Sequence, residues 1–212
     1  DASCSPVNSA TVLHISHASI TDLQGIQAFT SLNYLDCRGN NSINIPAIPS
    51  ALDTLDASGC FLPTIAPLPN SMIFLNLSNC GLNSLPVLPA SLRTLKCEYD
   101  SLASLPILPS SLIYLFCSHN QLTSLPSLPS TLRTLFADFN MLASLPTLPN
   151  LRTLSVMINQ ITALPTLPQS LNYIDCSYNS IASLPVLPDS IAYLICGHNM
   201  ITSLPALPLQ LF

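Results

Sequence analysis

The sequence predicts an α/β-type solenoid, mostly β, with a parallel sheet on its concave side and extended, polyproline-like segments on its convex side. Three observations predict it: a twenty-residue period, an alternating apolar half-repeat, and a second half that no regular helix can use. The clearest copy is LIYLFCSHNQLTSLPSLPST, from Leu112 to Thr131. Copies begin at Leu32, Leu52, Met72, Leu92, Leu112, Leu132, Leu151, Leu171 and Ile191, each step being twenty residues except the nineteen from Leu132. A fixed period of this length means one elongated array whose units touch only their neighbours. The expected organisation is a cap and divergent first repeat over 1–31, nine repeats over 32–210, and the start of a truncated further repeat at 211–212.

Counting from the first apolar residue of each copy, positions 1, 4, 6, 11, 14 and 17 are apolar; in the clearest copy these are Leu112, Leu115, Cys117, Leu122, Leu125 and Leu128. Alternation through positions 3 to 7 is the period-two signal of a strand with one buried face, and stacked copies give a parallel sheet. The following LPxLP cannot be helical, because proline removes an amide donor and pushes its predecessor toward extended geometry. Two prolines three residues apart predict a polyproline-like return. Position 9 is asparagine at Asn40, Asn120, Asn140, Asn159, Asn179 and Asn199, where an amide can donate and accept for turn backbone that no ladder reaches. Cys60, Cys80 and Asp100 take that position in three consecutive copies. A thiol substitutes weakly and a carboxylate only accepts, so Asp100 predicts an altered turn.

Only 7% of the 212 residues are charged, so Ser, Thr and Asn must keep the surface wet. Prolines interrupt every copy, and no run approaches the roughly 18 apolar residues of a membrane helix, so no membrane insertion is expected. The net charge of −5 argues against nucleic acid, whose binders show a basic stripe. Cys37, Cys97, Cys117, Cys176 and Cys196 share position 6, where other copies place Leu77, Ala57, Ala137 and Val156, and they read as small buried hydrophobes. Neighbouring members lie within disulfide range, but their parallel Cβ vectors suit a bridge poorly. Cys60 and Cys80 form the better-placed pair.

Chemistry concentrates on positions 2, 3, 5, 7 and 8, the inner face and its rims. Every basic residue and every tyrosine falls there, as do four phenylalanines and the histidines His14, His17, His119 and His198. The candidate ligand-binding residues are Tyr34, Phe74, Arg93, Lys96, Tyr99, Tyr114, Phe116, Arg133, Phe136, Phe139, Arg152, Tyr173, Tyr178 and Tyr193. Strand propensity explains Tyr, Phe and Thr at position 3, but not Arg, His and Phe at positions 2, 5 and 8. Aromatics and arginine are the residues enriched at interface hot spots. The face is also zoned. Asp36, Asp53 and Asp56 make one end acidic, the middle carries cations around phenylalanines, and the far end is rich in tyrosine.

Asp36 and Asp56 occupy position 5 of adjacent copies, about 5 Å apart by strand spacing, near the separation of a retaining glycosidase pair. An open sheet offers them no water-excluding cleft, so no enzyme is expected. No CxxC, Ser-His-Asp grouping or glycine-rich phosphate loop occurs, so no metal and no cofactor is expected.

From Met72 to Pro208 the repeated LPxLPxSL and LxxLxCxxNxLxSLP, as in LPVLPASLRTLKC and LPSLPSTLRTLFA, resemble the short-repeat bacterial leucine-rich repeat class. Two groups share this look: secretion effectors of the YopM and IpaH kind, and large secreted surface proteins. The effectors usually open with a helical hairpin, which Asp1 to Thr11 is too short and proline-broken to form. The opening ASITDLQGIQAFTSLNYLDC resembles the secreted, internalin-like style. The resemblance implies a non-enzymatic binding module for a protein or glycan, secreted or at the bacterial surface. Its alternatives are a structural spacer or filament unit, and a virulence effector in the host cytosol. Residues Thr202 to Phe212 supply no polar cap, which predicts a longer protein, a covered end, or end-to-end self-association. The cysteine ladder predicts that at least its five thiols react with a thiol reagent only after unfolding, without prior reduction. Finding three or more disulfides by mass spectrometry would overturn it.

Overall fold

The computed structural model describes residues 9–62 and 65–209; the beginning of the cap and the truncated last repeat, Leu211 and Phe212, lie outside them. Ten three-residue strands form one parallel sheet in chain order: β1 Val12–His14, β2 Tyr34–Asp36, β3 Thr54–Asp56, β4 Phe74–Asn76, β5 Thr94–Lys96, β6 Tyr114–Phe116, β7 Thr134–Phe136, β8 Thr153–Ser155, β9 Tyr173–Asp175 and β10 Tyr193–Ile195. The divergent opening copy therefore supplies a strand of the same sheet. A single 3-10 turn at Ile26–Ala28 lies between β1 and β2.

Register equals repeat position. Tyr34 pairs with Thr54, Thr54 with Phe74, Phe74 with Thr94 and Thr94 with Tyr114, so each position forms a file along the solenoid. The files at positions 1, 4, 6 and 11 are the core: Leu112, Leu115, Cys117 and Leu122 are all fully buried, as are their equivalents in the next turn, Leu132, Leu135, Ala137 and Leu142. Burying each leucine is worth about 1.5–3 kcal/mol, so a thin section suffices when every turn repeats it.

Backbone groups that the short strands leave over are satisfied by two side-chain ladders. At position 9, Asn120 Oδ1 accepts from Leu102 N (2.9 Å), while its Nδ2 donates to the carbonyls of Cys97 (2.7 Å) and Cys117 (3.2 Å). One amide thus ties two consecutive turns, and Asn140, Asn159, Asn179 and Asn199 repeat the pattern. At position 20, a hydroxyl donates to the position-1 carbonyl one turn back, as Ser111 Oγ does to Leu92 O (2.6 Å) and Ser170 Oγ to Leu151 O (2.7 Å). The extended LPxLP return ends in a turn closed by the position-1 amide on the second proline's carbonyl, as in Leu112 N to Pro109 O (3.1 Å).

The nineteen-residue copy lacks position 20. Its turn tightens, so that Leu151 N reaches Pro149 O, two residues back, at 2.9 Å. The carbonyl that a hydroxyl would have served, Leu132 O, instead accepts from the Arg133 guanidinium (3.2 Å).

Cysteine and aspartate change the position-9 ladder as their chemistry requires. Cys60 Sγ donates to Cys37 O and Cys80 Sγ to Ala57 O, each at 3.1 Å, keeping the donor half. Both are free thiols, as are Cys37, Cys97, Cys117, Cys176 and Cys196. Burial pushes the Cys80 and Cys176 thiols up to about 12, which suppresses the nucleophilic thiolate. Asp100 keeps the acceptor half. Its Oδ1 accepts from Cys80 N (2.9 Å) and Leu82 N (3.0 Å), while Oδ2 is buried with no partner.

That orphan oxygen stands where an amide would donate to the carbonyls of Leu77 and Cys97. Burial raises the Asp100 carboxyl above its ordinary value. Its favourable contribution is therefore complete below the ordinary carboxylate range and is lost as pH rises through the raised value. Asp100→Asn should stabilise the chain by about 1–3 kcal/mol at neutral pH, the cost of an unsatisfied buried polar group, with the gain shrinking toward acid pH. Urea midpoints of the two proteins across that pH range check it, and a pH-independent difference would refute it.

Candidate binding face

Positions 3 and 5 point away from the buried position 4, so their files form the concave floor. Position 2 precedes the strand and positions 7 and 8 follow it, giving the floor two opposite rims. The candidate residues fall on these files. Tyr34, Phe74, Tyr114, Tyr173 and Tyr193 take position 3, and Lys96, Phe116 and Phe136 take position 5. Arg93, Arg133 and Arg152 stand on the rim before the strands, Tyr99, Phe139 and Tyr178 on the rim after them.

Within the floor, side chains make small groups. At the acidic end, Asp36 is 4% exposed and meets Arg38 Nε (3.5 Å) and His14 Nδ1 (3.6 Å), while the His14 and Tyr34 rings lie 5.1 Å apart. Asp56 Oδ1 is occupied by the amide and hydroxyl of Ser58 (3.0 and 2.7 Å). Both carboxylates are turn acceptors, and Asp36 is also an ion-pair partner, which is a structural account of the acidic pair. In the middle, Lys96 Nζ lies over the rings of Phe74 (5.9 Å) and Phe116 (5.3 Å), and Phe116 stacks on Phe136 at 5.5 Å. Lys96 thus sits as a cation between two aromatic faces. At the far end Tyr173 and Tyr193 lie 6.1 Å apart, with Tyr193 56% exposed.

The rim after the strands is under conformational strain. Position 8 is left-handed in all nine repeats: Gly39, Gly59 and Asn79 adopt φ of 68, 68 and 57°, and Tyr99, His119, Phe139, Ile158, Tyr178 and His198 adopt 59, 57, 52, 52, 56 and 54°. Glycine and asparagine tolerate that region, whereas a bulky or β-branched residue costs about 1–2 kcal/mol there. Six consecutive repeats nonetheless place large side chains at it. Their rings stack along the rim, Tyr99 on His119 and His119 on Phe139 at 4.2 Å, and Tyr178 on His198 at 4.0 Å. His119 and His198 are thus members of this rim that the candidate set omitted. The sequence signal was their place in the same file as Tyr99 and Phe139.

The opposite rim divides. Arg93 and Arg152 are exposed. Arg133 is held by its Nη1 bonds to the carbonyls of Ser130 (3.0 Å), Leu132 (3.2 Å) and Asn150 (3.4 Å), so its guanidinium repairs the shortened turn. No group of three or more His, Cys, Asp or Glu residues among those described could hold a metal ion. No helix among them is long and apolar enough to cross a membrane.

A parallel one-layer sheet in twenty-residue turns, with an asparagine ladder and an open concave face, defines a leucine-rich repeat fold built from short repeats. Among solved structures, the chain is similar to YopM from Yersinia enterocolitica, at 39% identity and a TM-score of 0.84, over 86% of this chain and 41% of that one. It is similar to a Shigella effector leucine-rich repeat domain at 37% identity and a TM-score of 0.59, over 62% of this chain and 60% of that one. YopM from Yersinia pestis matches at 28% identity and a TM-score of 0.66, over 95% of this chain and 70% of that one. The chain therefore spans less than half the length of the first and about three fifths of the second. No family model and no curated protein matches the sequence.

Relief of strain at position 8 should be measurable. Ile158 is β-branched, at φ 52°, between ring stacks it cannot join. Ile158→Asn should raise the urea midpoint, by about 1 kcal/mol of stability. An unchanged or lowered midpoint would mean that its side-chain contacts outweigh the strain.

Proposed function

We propose that the chain is a non-enzymatic binding module whose concave face recognises a protein ligand, in a bacterial protein that is secreted or displayed at the surface. The position-8 rim carries this reading. Gly39, Gly59 and Asn79 meet the turn's requirement without large side chains, yet later turns set Tyr99, Phe139 and Tyr178 there against the backbone preference, with His119 and His198 stacked on them. Side chains held at a cost to folding, on an open rim, have their natural explanation in contact with another molecule. The aromatic floor at Phe74, Tyr114, Phe116, Phe136, Tyr173 and Tyr193 extends the same surface, and its phenols suit a glycan as a second class of ligand. Delivery as an effector is the second reading on location, favoured by the YopM and Shigella effector structures among its neighbours.

The test uses three phenols of the floor. Replacing Tyr114, Tyr173 and Tyr193 together by Ser should leave the urea midpoint close to native, because none belongs to the buried files. It should abolish capture of a partner that the native chain retains. Survival of binding in the triple variant would place the contact surface elsewhere.

A further inference from the structure

The charges on this molecule are distributed against its overall sign. The chain carries a net −5, but four of its five basic residues, Arg93, Lys96, Arg133 and Arg152, lie on the turns from β5 to β8. The two ion pairs among the described residues both belong to Asp36, near the other end, so none of these four cations has a carboxylate partner. The acids of the same turns are turned to structural uses. Asp138 accepts from Ser155 Oγ (2.6 Å) and Met157 N (2.8 Å), and Asp100 Oδ1 caps two backbone amides. Glu98 is partly buried on the opposite rim, its carboxyl raised by that burial, near Lys96 and His119. Between Arg93 and Arg133 opens a cavity of about 390 Å³, lined also by Ile113 and by the hydroxyl-bearing Ser111 and Thr131.

Unmatched cations in an acidic protein imply an anion supplied by something else. Its length is limited on both sides. Asp36, Asp53 and Asp56 flank the strip at one end and Asp175 and Asp189 at the other, so a long polyanion would meet repulsion beyond it. From Arg93 to Arg152 is three strand spacings, about 14 Å, which an extended peptide covers in about four or five residues. Resting on the binding-module reading above, we propose that the partner presents a short acidic peptide segment to Arg93 and Arg152, on the rim opposite the stacked rings, with Lys96 on the adjoining floor. The partner's apolar contacts then face the Phe116 and Phe136 floor. Arg133 adds field there while its guanidinium stays on the backbone.

The experiment measures fluorescence anisotropy of labelled hexaglutamate with the whole chain at low and raised salt. Arg93→Ser with Arg152→Ser removes two positive charges from the rim. Thr147→Glu with Thr166→Glu changes the net charge equally, at exposed positions of the convex side. The native chain and the convex variant should bind hexaglutamate alike, with affinity falling as salt rises. The rim variant should bind about tenfold or more weakly. No binding at low salt, or equal weakening in both variants, would overturn the proposal, the latter by showing only a net-charge effect. Tighter binding of an oligothymidylate, lost in the same rim variant, would overturn it in favour of nucleic acid. If hexaglutamate fails while the tyrosine triple variant still loses its partner, only the acidic-segment inference falls. The concave-face reading falls only if that capture survives.

Discussion

The exit turn of each strand is the constraint from which the rest follows. A strand of three residues cannot satisfy its own ends, so every turn leaves carbonyls at position 6 and an amide at position 11 in need of partners. One asparagine, donating to two turns and accepting from one, closes that deficit and sets the spacing between turns. To bring it inward the chain must reverse sharply at position 8, which forces the left-handed conformation there. Core, ladder and strained rim are thus one piece of geometry. The core files stack because the turns are held in register, and the rim exists because the asparagine must point in.

Departures from the ladder show which half of the amide matters at each site. Cys60 and Cys80 keep a donor, and the acceptor duty passes to backbone, as where Leu62 N reaches Cys80 O at 3.0 Å. Asp100 keeps an acceptor and strands an oxygen. The chain path through this turn is nevertheless that of its neighbours, with Tyr99 at φ 59° beside His119 at 57°. The altered turn expected at Asp100 is therefore a change of hydrogen-bond chemistry on an unchanged backbone. Loss of one residue before Leu151 is absorbed just as locally, by a tighter turn and a borrowed guanidinium. Units that touch only their neighbours confine a defect to the turn that carries it.

Much of this architecture was legible because period, alternation and proline each forbid the competing structures. A period-two half-repeat excludes a helix in one half and LPxLP excludes it in the other, so the parallel sheet followed directly. The asparagine file was legible for the same reason, its chemistry having no other use at a strand exit. Two things were not. The left-handed backbone at position 8 is invisible where Tyr99, His119 and Ile158 stand, since only Gly39, Gly59 and Asn79 advertise it. The role of Arg133 was equally hidden, because a missing residue at position 20 reveals its consequence only when the orphaned carbonyl of Leu132 is located. Arg133 entered the candidate set as one arginine among three, and geometry separates it from Arg93 and Arg152.

A repeat protein supplies its own controls. Each turn must solve the same folding problem, so a position that folding alone determines should be filled in the same way throughout. Positions 1 and 4 are filled in that way, with leucine in most turns and isoleucine or methionine in the rest. Positions 2, 5 and 8 are not. Position 5 runs from Asp56 through Lys96 and Phe136 to Asp175, although all four stand on equivalent strands with equivalent neighbours. Position 8 runs from glycine to tyrosine at one backbone geometry that favours glycine. Variation of this kind cannot come from the local fold, which is constant, and at position 8 it opposes the fold's preference. Its pattern along the array, acidic, then cationic and aromatic, then phenolic, is what the proposed concave-face ligand would have to match.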